Sequence, residues 1–155
     1  MRLMFVGLLW SSLLLLWSCG ESYHTVAEIS PNNSEWRYQD SLVVALNIED
    51  NTLPYHLYLD LTHSPEFAFQ NLYVLISTTF PSGKRVADKV SLELADELGQ
   101  WHGKCDDESC LLRVFLQENI YFEATGQHQI VVEQFMRQDS LSGVQHIAFR
   151  MAEAK

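Results

Sequence analysis

The fold is decided by residues 55–63, Tyr55-His56-Leu57-Tyr58-Leu59-Asp60-Leu61-Thr62-His63, in which leucine returns at every second position. The residues between the leucines are aromatic or polar. Successive side chains of a β-strand point to opposite faces of a sheet, so this alternation predicts a strand with one buried face. Tyr58 is predicted to lie on the polar side of that strand.

The same period of two recurs along the chain, at residues 90–94, 112–116 and 147–151. Clusters of Gly, Pro, Asn and Ser separate these runs and have the chemistry of turns. The one helix-prone run, residues 91–97, also alternates, which favours a strand. The pattern predicts a single antiparallel β-sandwich of about eight strands. Their predicted positions are 22–30, 40–49, 55–63, 69–78, 88–95, 110–117, 127–136 and 144–152.

Two of the predicted strands contain segments that are apolar on both faces, residues 42–48 and 72–76. Strands of this kind are typical of the middle of a sheet that is covered on both sides. The alternative is a strand whose second face meets a partner.

The first eighteen residues predict a lipoprotein signal peptide. Arg2 is followed by an apolar stretch, residues 3–17, which is shorter than the roughly 20 residues of a membrane-spanning helix. It ends at Ser18-Cys19, the small-residue–cysteine pattern of a lipobox, so Cys19 is the predicted lipid-attachment site. An ordinary signal peptide cut elsewhere and an uncleaved anchor are the alternatives. The predicted organisation is a signal peptide at 1–18, an anchor with a short tether at 19–25 and a sandwich domain at 26–155.

The charge of the chain argues against nucleic acids and anionic lipid headgroups as partners. The leader carries one basic and no acidic residue, so nine basic and twenty acidic side chains remain after cleavage and the net charge is −11. Nucleic acids and anionic lipid headgroups bind basic surfaces. We therefore expect no nucleic-acid partner, and we expect the membrane to be reached through the acyl anchor.

Two further cysteines, Cys105 and Cys110, lie close together in the sequence. In an oxidising compartment such a pair favours a disulfide that closes a tight loop and stabilises the fold by about 2 kcal/mol. Free thiols, or a metal site completed by His102, are the alternatives; no fourth ligand is evident.

No catalytic signature is present: the chain has no Gly-x-Ser-x-Gly, phosphate-binding glycine loop or His-Glu-x-x-His. Six scattered histidines match no ligand spacing, although distant ones could converge on a metal in a metal-dependent hydrolase. We predict no enzymatic activity, no metal and no cofactor. Tyr58 and Phe115, aromatic residues on the polar sides of their strands, are candidates for a protein-contact surface. Tyr58 beside Asp60 could alternatively form a platform for a carbohydrate or peptidoglycan.

Several strings in a fixed order resemble the gliding-motility lipoprotein GldH family of the Bacteroidetes, over residues 36–150. The strings are Asp50–Leu61, Asn71–Val74, Phe80–Gly83, Leu94–Asp96, Gly99–Trp101, Gly103–Lys104, Gly126, Gln134–Arg137 and Leu141–Val144.

The resemblance implies a non-catalytic lipoprotein of the cell envelope that is required for surface gliding and for the linked protein-secretion apparatus. Its partners would be other gliding and secretion envelope proteins. The segment Gly20-Glu21-Ser22 lacks the run of acidic residues that some of these bacteria use to send lipoproteins to the cell surface. The expected location is therefore the outer membrane, facing the periplasm.

Overall fold

The structure, a computed structural model, describes residues 23–154. The predicted signal peptide, Cys19 and residues 20–22 lie outside this range. Apart from a 3-10 turn at Asn32–Ser34, the regular structure of the described residues is entirely β. The strands are β1 (His24–Ile29), β2 (Glu35–Arg37), β3 (Leu42–Ile48), β4 (Tyr55–His63), β5 (Asn71–Thr79), β6 (Arg85–Glu93), β7 (Lys104–Cys105), β8 (Cys110–Ile120), β9 (Gly126–Gln134), β10 (Ser140–Ser142) and β11 (Val144–Glu153).

The strands form two main antiparallel sheets. Sheet I has the order β1-β11-β4-β8-β7 and sheet II the order β3-β9-β5-β6, while β2 and β10 pair with each other in a small ribbon. If the eight long strands are counted along the chain, sheet I reads 1-8-3-6 and sheet II reads 2-7-4-5. This strand order is the double Greek key of a jelly roll. The predicted all-β antiparallel sandwich is confirmed.

All eight predicted strands are present, and β4 has the predicted limits. The three that the sequence missed, β2, β7 and β10, have only two or three residues each, too few for alternation to be recognised. The helix-prone run at 91–97 contains the end of β6, followed by an isolated bridge between Ala95 and Trp101.

The core lies between the two sheets. Leu57, Leu59 and Leu61 of β4 are buried there, as their spacing predicts, together with Val44 of β3 and Val74 of β5. Both sheets therefore contribute one apolar face to a common interior.

The strand predicted to be central from its two apolar faces is instead an edge strand. β3 pairs with β9 alone in the described part of the chain, and its residues alternate strictly between buried and exposed. Val43, on the outer face, is 52% exposed. β5 does lie inside sheet II, but Tyr73 on its outer face is also exposed. Two-sided hydrophobicity here marks strands whose second face is uncovered.

Candidate contact surfaces

A buried carboxylate organises the outer face of sheet I. Asp60 of β4 is opposite Arg113 of β8, whose Nε and Nη2 atoms donate hydrogen bonds to its two oxygens at 2.6 and 2.7 Å. Arg150 of β11 donates a third from Nε, at 2.5 Å. The Asp60 side chain is only 2% exposed. Three neighbouring strands are thus joined through one carboxylate on the side facing away from the core.

This arrangement holds Asp60 in its ionised form. Burial is the largest single influence and would raise its pKa, but hydrogen bonds and charge from Arg113 and Arg150 together outweigh it and lower the pKa. The hydrogen bond with Asp60 in turn raises the pKa of Arg113. Both carboxylate oxygens accept hydrogen bonds from guanidinium groups, so Asp60 is built for structure and is poorly placed to exchange protons with a substrate.

Aromatic rings cover this ionic cluster. The Tyr23 ring lies over Arg113, with the guanidinium carbon 4.0 Å from its centroid, and contacts the Tyr58 ring at 5.6 Å. Phe115 packs on Tyr58 from the neighbouring strand at 4.5 Å. Cation–π and aromatic contacts of this kind stabilise desolvated arginine.

The aromatic rings over the ionic cluster decide whether Tyr58 and Phe115 can be contact residues. Tyr58 is on the outer face, as its spacing predicts, but it is 2% exposed and cannot be a contact residue. The carbohydrate platform of Tyr58 and Asp60 is likewise wrong, because both side chains are buried. Phe115 is 51% exposed and stays a candidate, held in place by the Tyr58 ring beneath it.

Cys105 and Cys110 are joined by a disulfide across the β7–β8 hairpin. Asp106 closes the intervening loop by accepting hydrogen bonds from the backbone N–H groups of Glu108 and Ser109 at 2.9 and 2.8 Å. Because the two sulfurs are bonded to each other, neither is a thiolate that could bind a metal. The alternative metal site with His102 therefore lacks its two sulfur ligands. Within residues 23–154 no cluster of three His, Cys, Asp or Glu side chains is arranged to hold a metal ion.

Two histidines are part of the core. The His63 ring packs on Trp101 at 4.6 Å and its Nδ1 lies 2.8 Å from the carbonyl oxygen of Ser64. His128 packs on Phe122 at 4.9 Å in a similar way. Both side chains are fully buried, and they lie on different sheets. The Nε2 atom of each ring is buried and has no hydrogen-bond partner among the described residues.

His63 makes stability depend on pH. Burial lowers its pKa from 6.5, and the Ser64 carbonyl only partly opposes this. Between pH 7.5 and 5.5 His63 therefore binds more protons in the unfolded chain than in the folded one, so the free energy of unfolding falls as the pH falls. We expect His63→Gln to reduce this fall by up to about 1.4 kcal/mol. Urea unfolding of both proteins at the two pH values measures it, and equal falls would contradict the assignment.

The outer face of sheet II carries several apolar side chains among polar ones. A strip of side chains, which we call the sheet II face, crosses β3, β9 and β5 and comprises Val43, Val131, Leu75, Tyr73 and Phe135. Val43, Tyr73 and Phe135 are 52, 37 and 49% exposed. Glu133 of β9 interrupts the strip, because it lies opposite Leu75. Large exposed apolar side chains grouped on one face of a folded protein are a mark of interaction sites.

A groove of about 1100 Å³ lies at one end of the sheet II face. The buried Gln134 shapes it: its Nε2 donates to the Gln138 carbonyl and its Oε1 accepts from the Met136 N–H, both at 2.9 Å. Lys89 lies over the Tyr73 ring at 5.2 Å. The groove is lined by Tyr38, Phe69, Tyr73, Leu75, Lys89, Glu133, Gln134, Phe135, Met136, Arg137 and Gln138.

Comparison with known proteins agrees with the strings noted in the sequence. The family profile described as GldH lipoprotein matches residues 21–151, which is most of the chain. The chain belongs to the GldH lipoprotein family. The groove loop at residues 134–137 and the whole of β4 fall inside the matched region, so the surfaces described above belong to the family domain. The resemblance to gliding-motility lipoproteins is confirmed.

Two named relatives support this membership. The gliding motility lipoprotein GldH homolog of Christiangramia forsetii is 25% identical over 128 residues, covering 77% of this chain and 78% of its own length. The gliding motility lipoprotein GldH of Flavobacterium johnsoniae is 22% identical over 160 residues, covering 99% of each chain. These relatives place the chain among gliding-motility lipoproteins.

Solved structures resemble it only weakly. A family GH115 4-O-methyl-α-glucuronidase, BtGH115A, aligns with a TM-score of 0.37 and 9% identity, over 85% of this chain and 18% of its own. TmCBM61, solved with β-1,4-galactotriose, aligns with a TM-score of 0.33 and 11% identity, over 86% and 88%. A likeness of this degree carries no functional information.

Among the described residues there is no helix of sufficient length and hydrophobicity to span a bilayer.

Proposed function

We propose that the chain is a non-catalytic, lipid-anchored component of the gliding-motility machinery and the associated protein-secretion apparatus, acting through contacts with other envelope proteins. Acyl chains on Cys19 would hold it in the outer membrane, with the domain facing the periplasm. The family supports this setting. The observation that carries the mode of action is the sheet II face, on which the side chains of Val43, Tyr73 and Phe135 are exposed to solvent.

The polar groups of the domain support a binding role over a catalytic one. Asp60 is held by two arginines, and His63 and His128 are buried against aromatic rings. General acid–base catalysis requires a titratable group within reach of a substrate. The groove instead combines exposed aromatic side chains with Met136 and Arg137, residue types that are enriched at protein interfaces.

The anchor would keep the domain close to the bilayer. Tyr23 follows Cys19 by four residues, a span of at most about 14 Å. Its ring is packed on Arg113 and Tyr58, so the domain would begin at a fixed point on the outer face of sheet I. Each buried methylene of an acyl chain contributes about 0.8 kcal/mol, so two or three chains give stable attachment.

The sheet II face is tested by the double variant Tyr73→Ser, Phe135→Ser, carried as the only copy in the bacterium that encodes the protein. We expect gliding and the linked secretion to fall at least tenfold, because the variant removes the two exposed aromatic anchors of a contact surface. Colony spreading and secreted-protein assays measure this. Leu98→Ser, at a loop position 87% exposed, is the matched control and should behave as wild type.

Phe115→Ser in the same assay tests the remaining candidate on sheet I. The protein level of each variant is followed by immunoblot, so that loss of function with normal abundance identifies a contact. Wild-type gliding of the Tyr73→Ser, Phe135→Ser strain would remove the sheet II face from the proposal.

The anchor is tested by Cys19→Ala. We expect the variant to lack the mass of the acyl chains and to leave the membrane pellet, because the acyl chains on Cys19 are its proposed attachment. Mass spectrometry of the mature N-terminus and ultracentrifugation measure both effects. An unmodified Cys19 in the wild-type protein would show that the leader is an ordinary signal peptide or an uncleaved anchor.

A further inference from the structure

The two sheets have four edges, and three of them are guarded against pairing with another chain. β1 is short and has a bulge between Thr25 and Ala27. The edge formed by β7 and β8 carries charged side chains and a disulfide. β6 carries four charged side chains along its length. Bulges, charges and short length are the usual means by which proteins prevent edge-to-edge association.

The fourth edge, β3, has none of these features. Its sequence, Leu-Val-Val-Ala-Leu-Asn-Ile, contains no charged residue, proline or glycine. It pairs with β9 over all seven residues without a bulge. In the described residues no strand is hydrogen-bonded to its other side, although β1 of sheet I lies close to β3. A regular, apolar, unguarded edge is a template for an added strand.

The charges around β3 indicate what could be added. Asp40 precedes the strand, and Glu49 and Asp50 follow it. None of the three is in an ion pair within residues 23–154. If a second copy paired through its own β3, acidic ends would meet acidic ends in either orientation, which is unfavourable. A strand with basic residues at both ends would meet opposite charge.

From this we infer that β3 accepts an additional strand, an extended segment of a partner protein with alternating apolar side chains and Lys or Arg at both ends. The inference deepens the proposed function, on which it rests, by naming the kind of partner. Pairing would make sheet II five-stranded, and the outward side chains of the added strand would lie beside Val43 and Ala45. Val43, at the β3 end of the sheet II face, would then lie next to side chains of the partner.

Hydrogen exchange of the full-length lipoprotein in detergent tests this with two synthetic peptides. Both have an alternating Val-Thr core; one has Lys-Lys at each end and the other Glu-Glu. We expect the Lys-ended peptide to slow exchange of β3 amides at least tenfold, the Glu-ended peptide to have no effect, and amides of the β6 edge to be unchanged by either. Val43→Lys should abolish the protection, because a positive charge at the second residue of β3 would lie near a Lys-Lys end of the peptide. Ala87→Lys, the same change on the outer face of β6, should retain it.

Equal effects of the two peptides, or none from either, would overturn the inference, as would a stable dimer of the protein alone in sedimentation. In cells, a photo-crosslinker in place of Ala45 should join to a basic, alternating segment of another protein, and one in place of Ala87 should not. Absence of β3 protection while Tyr73→Ser, Phe135→Ser still abolishes gliding would end this inference and leave the proposed function standing. Protection at β3 together with normal gliding of that variant would remove the sheet II face from the proposed function and leave the added strand at β3 standing.

Discussion

Asp60→Asn is expected to lower the free energy of unfolding by about 3–5 kcal/mol, the usual cost of removing one member of a buried ionic cluster. The side chain is almost fully buried and satisfies Arg113 and Arg150 together. An amide leaves the partly buried guanidinium groups of Arg113 and Arg150 without their counter-charge. Unfolding in guanidinium chloride at pH 7, followed by circular dichroism, measures the loss of stability. Asp88→Asn, the same change at an exposed position of β6, should cost no more than about 0.5 kcal/mol.

The pH dependence has a defined sign. The pKa of Asp60 is lowered in the folded protein, so its stabilisation is complete above the ordinary value of 3.8 and is lost as the pH falls below it. A triple variant separates charge from shape: Asp60→Leu with Arg113→Met and Arg150→Met should recover most of the loss, because apolar residues of similar volume can replace a buried ionic cluster. If Asp60→Asn cost no more than Asp88→Asn, the arginines would have to be solvated in the variant.

The strands could be predicted from the sequence because alternation is a local property. Nine residues, 55–63, suffice to place the leucines of β4 on one face, and the structure gives that strand the same limits. The pairing of Cys105 with Cys110 is also a local matter, since the two residues lie on one hairpin.

The surroundings of each strand could not be predicted in this way. The sequence predicts that the polar face of β4 is exposed, yet this face is covered. Arg113 and Arg150, which bind Asp60 there, are 53 and 90 residues from it in the sequence. Tyr58 is buried by Tyr23 and Phe115 for the same reason. The signal was present as arginines on the polar sides of two strands, but it could be interpreted only with the strand order.

The character of β3 shows the opposite case. Its two apolar faces favour a central strand, and they do so equally for an edge strand that awaits a partner. Only the strand order of sheet II, in which β3 lies at an edge, distinguishes a central strand from an edge strand here. The groove shaped by Gln134 was missed altogether, because a buried glutamine that fixes a loop has no distinctive sequence pattern.

Trp36→Ala is the second change with a large expected effect, a loss of about 3–5 kcal/mol in the free energy of unfolding. Trp36 lies in β2, one of the short strands that alternation did not reveal, and is completely buried. Its indole Nε1 donates a 2.6 Å hydrogen bond to the Asp40 carbonyl, which fixes the turn leading into β3. The variant would therefore leave both a cavity and an unpaired carbonyl.

Phe135→Ala is the matched control, because it removes an aromatic ring that is 49% exposed and should cost about 1 kcal/mol or less. Trp36→Phe divides the two contributions: it retains most of the packing and loses the hydrogen bond, so an intermediate loss is expected. Urea unfolding followed by circular dichroism compares the three variants on one scale. A loss for Trp36→Ala no larger than for Phe135→Ala would mean that the β2–β10 ribbon is not anchored through this ring. The entry into β3 would then depend on other contacts, and the edge strand proposed to receive a partner would be less firmly held than its burial pattern indicates.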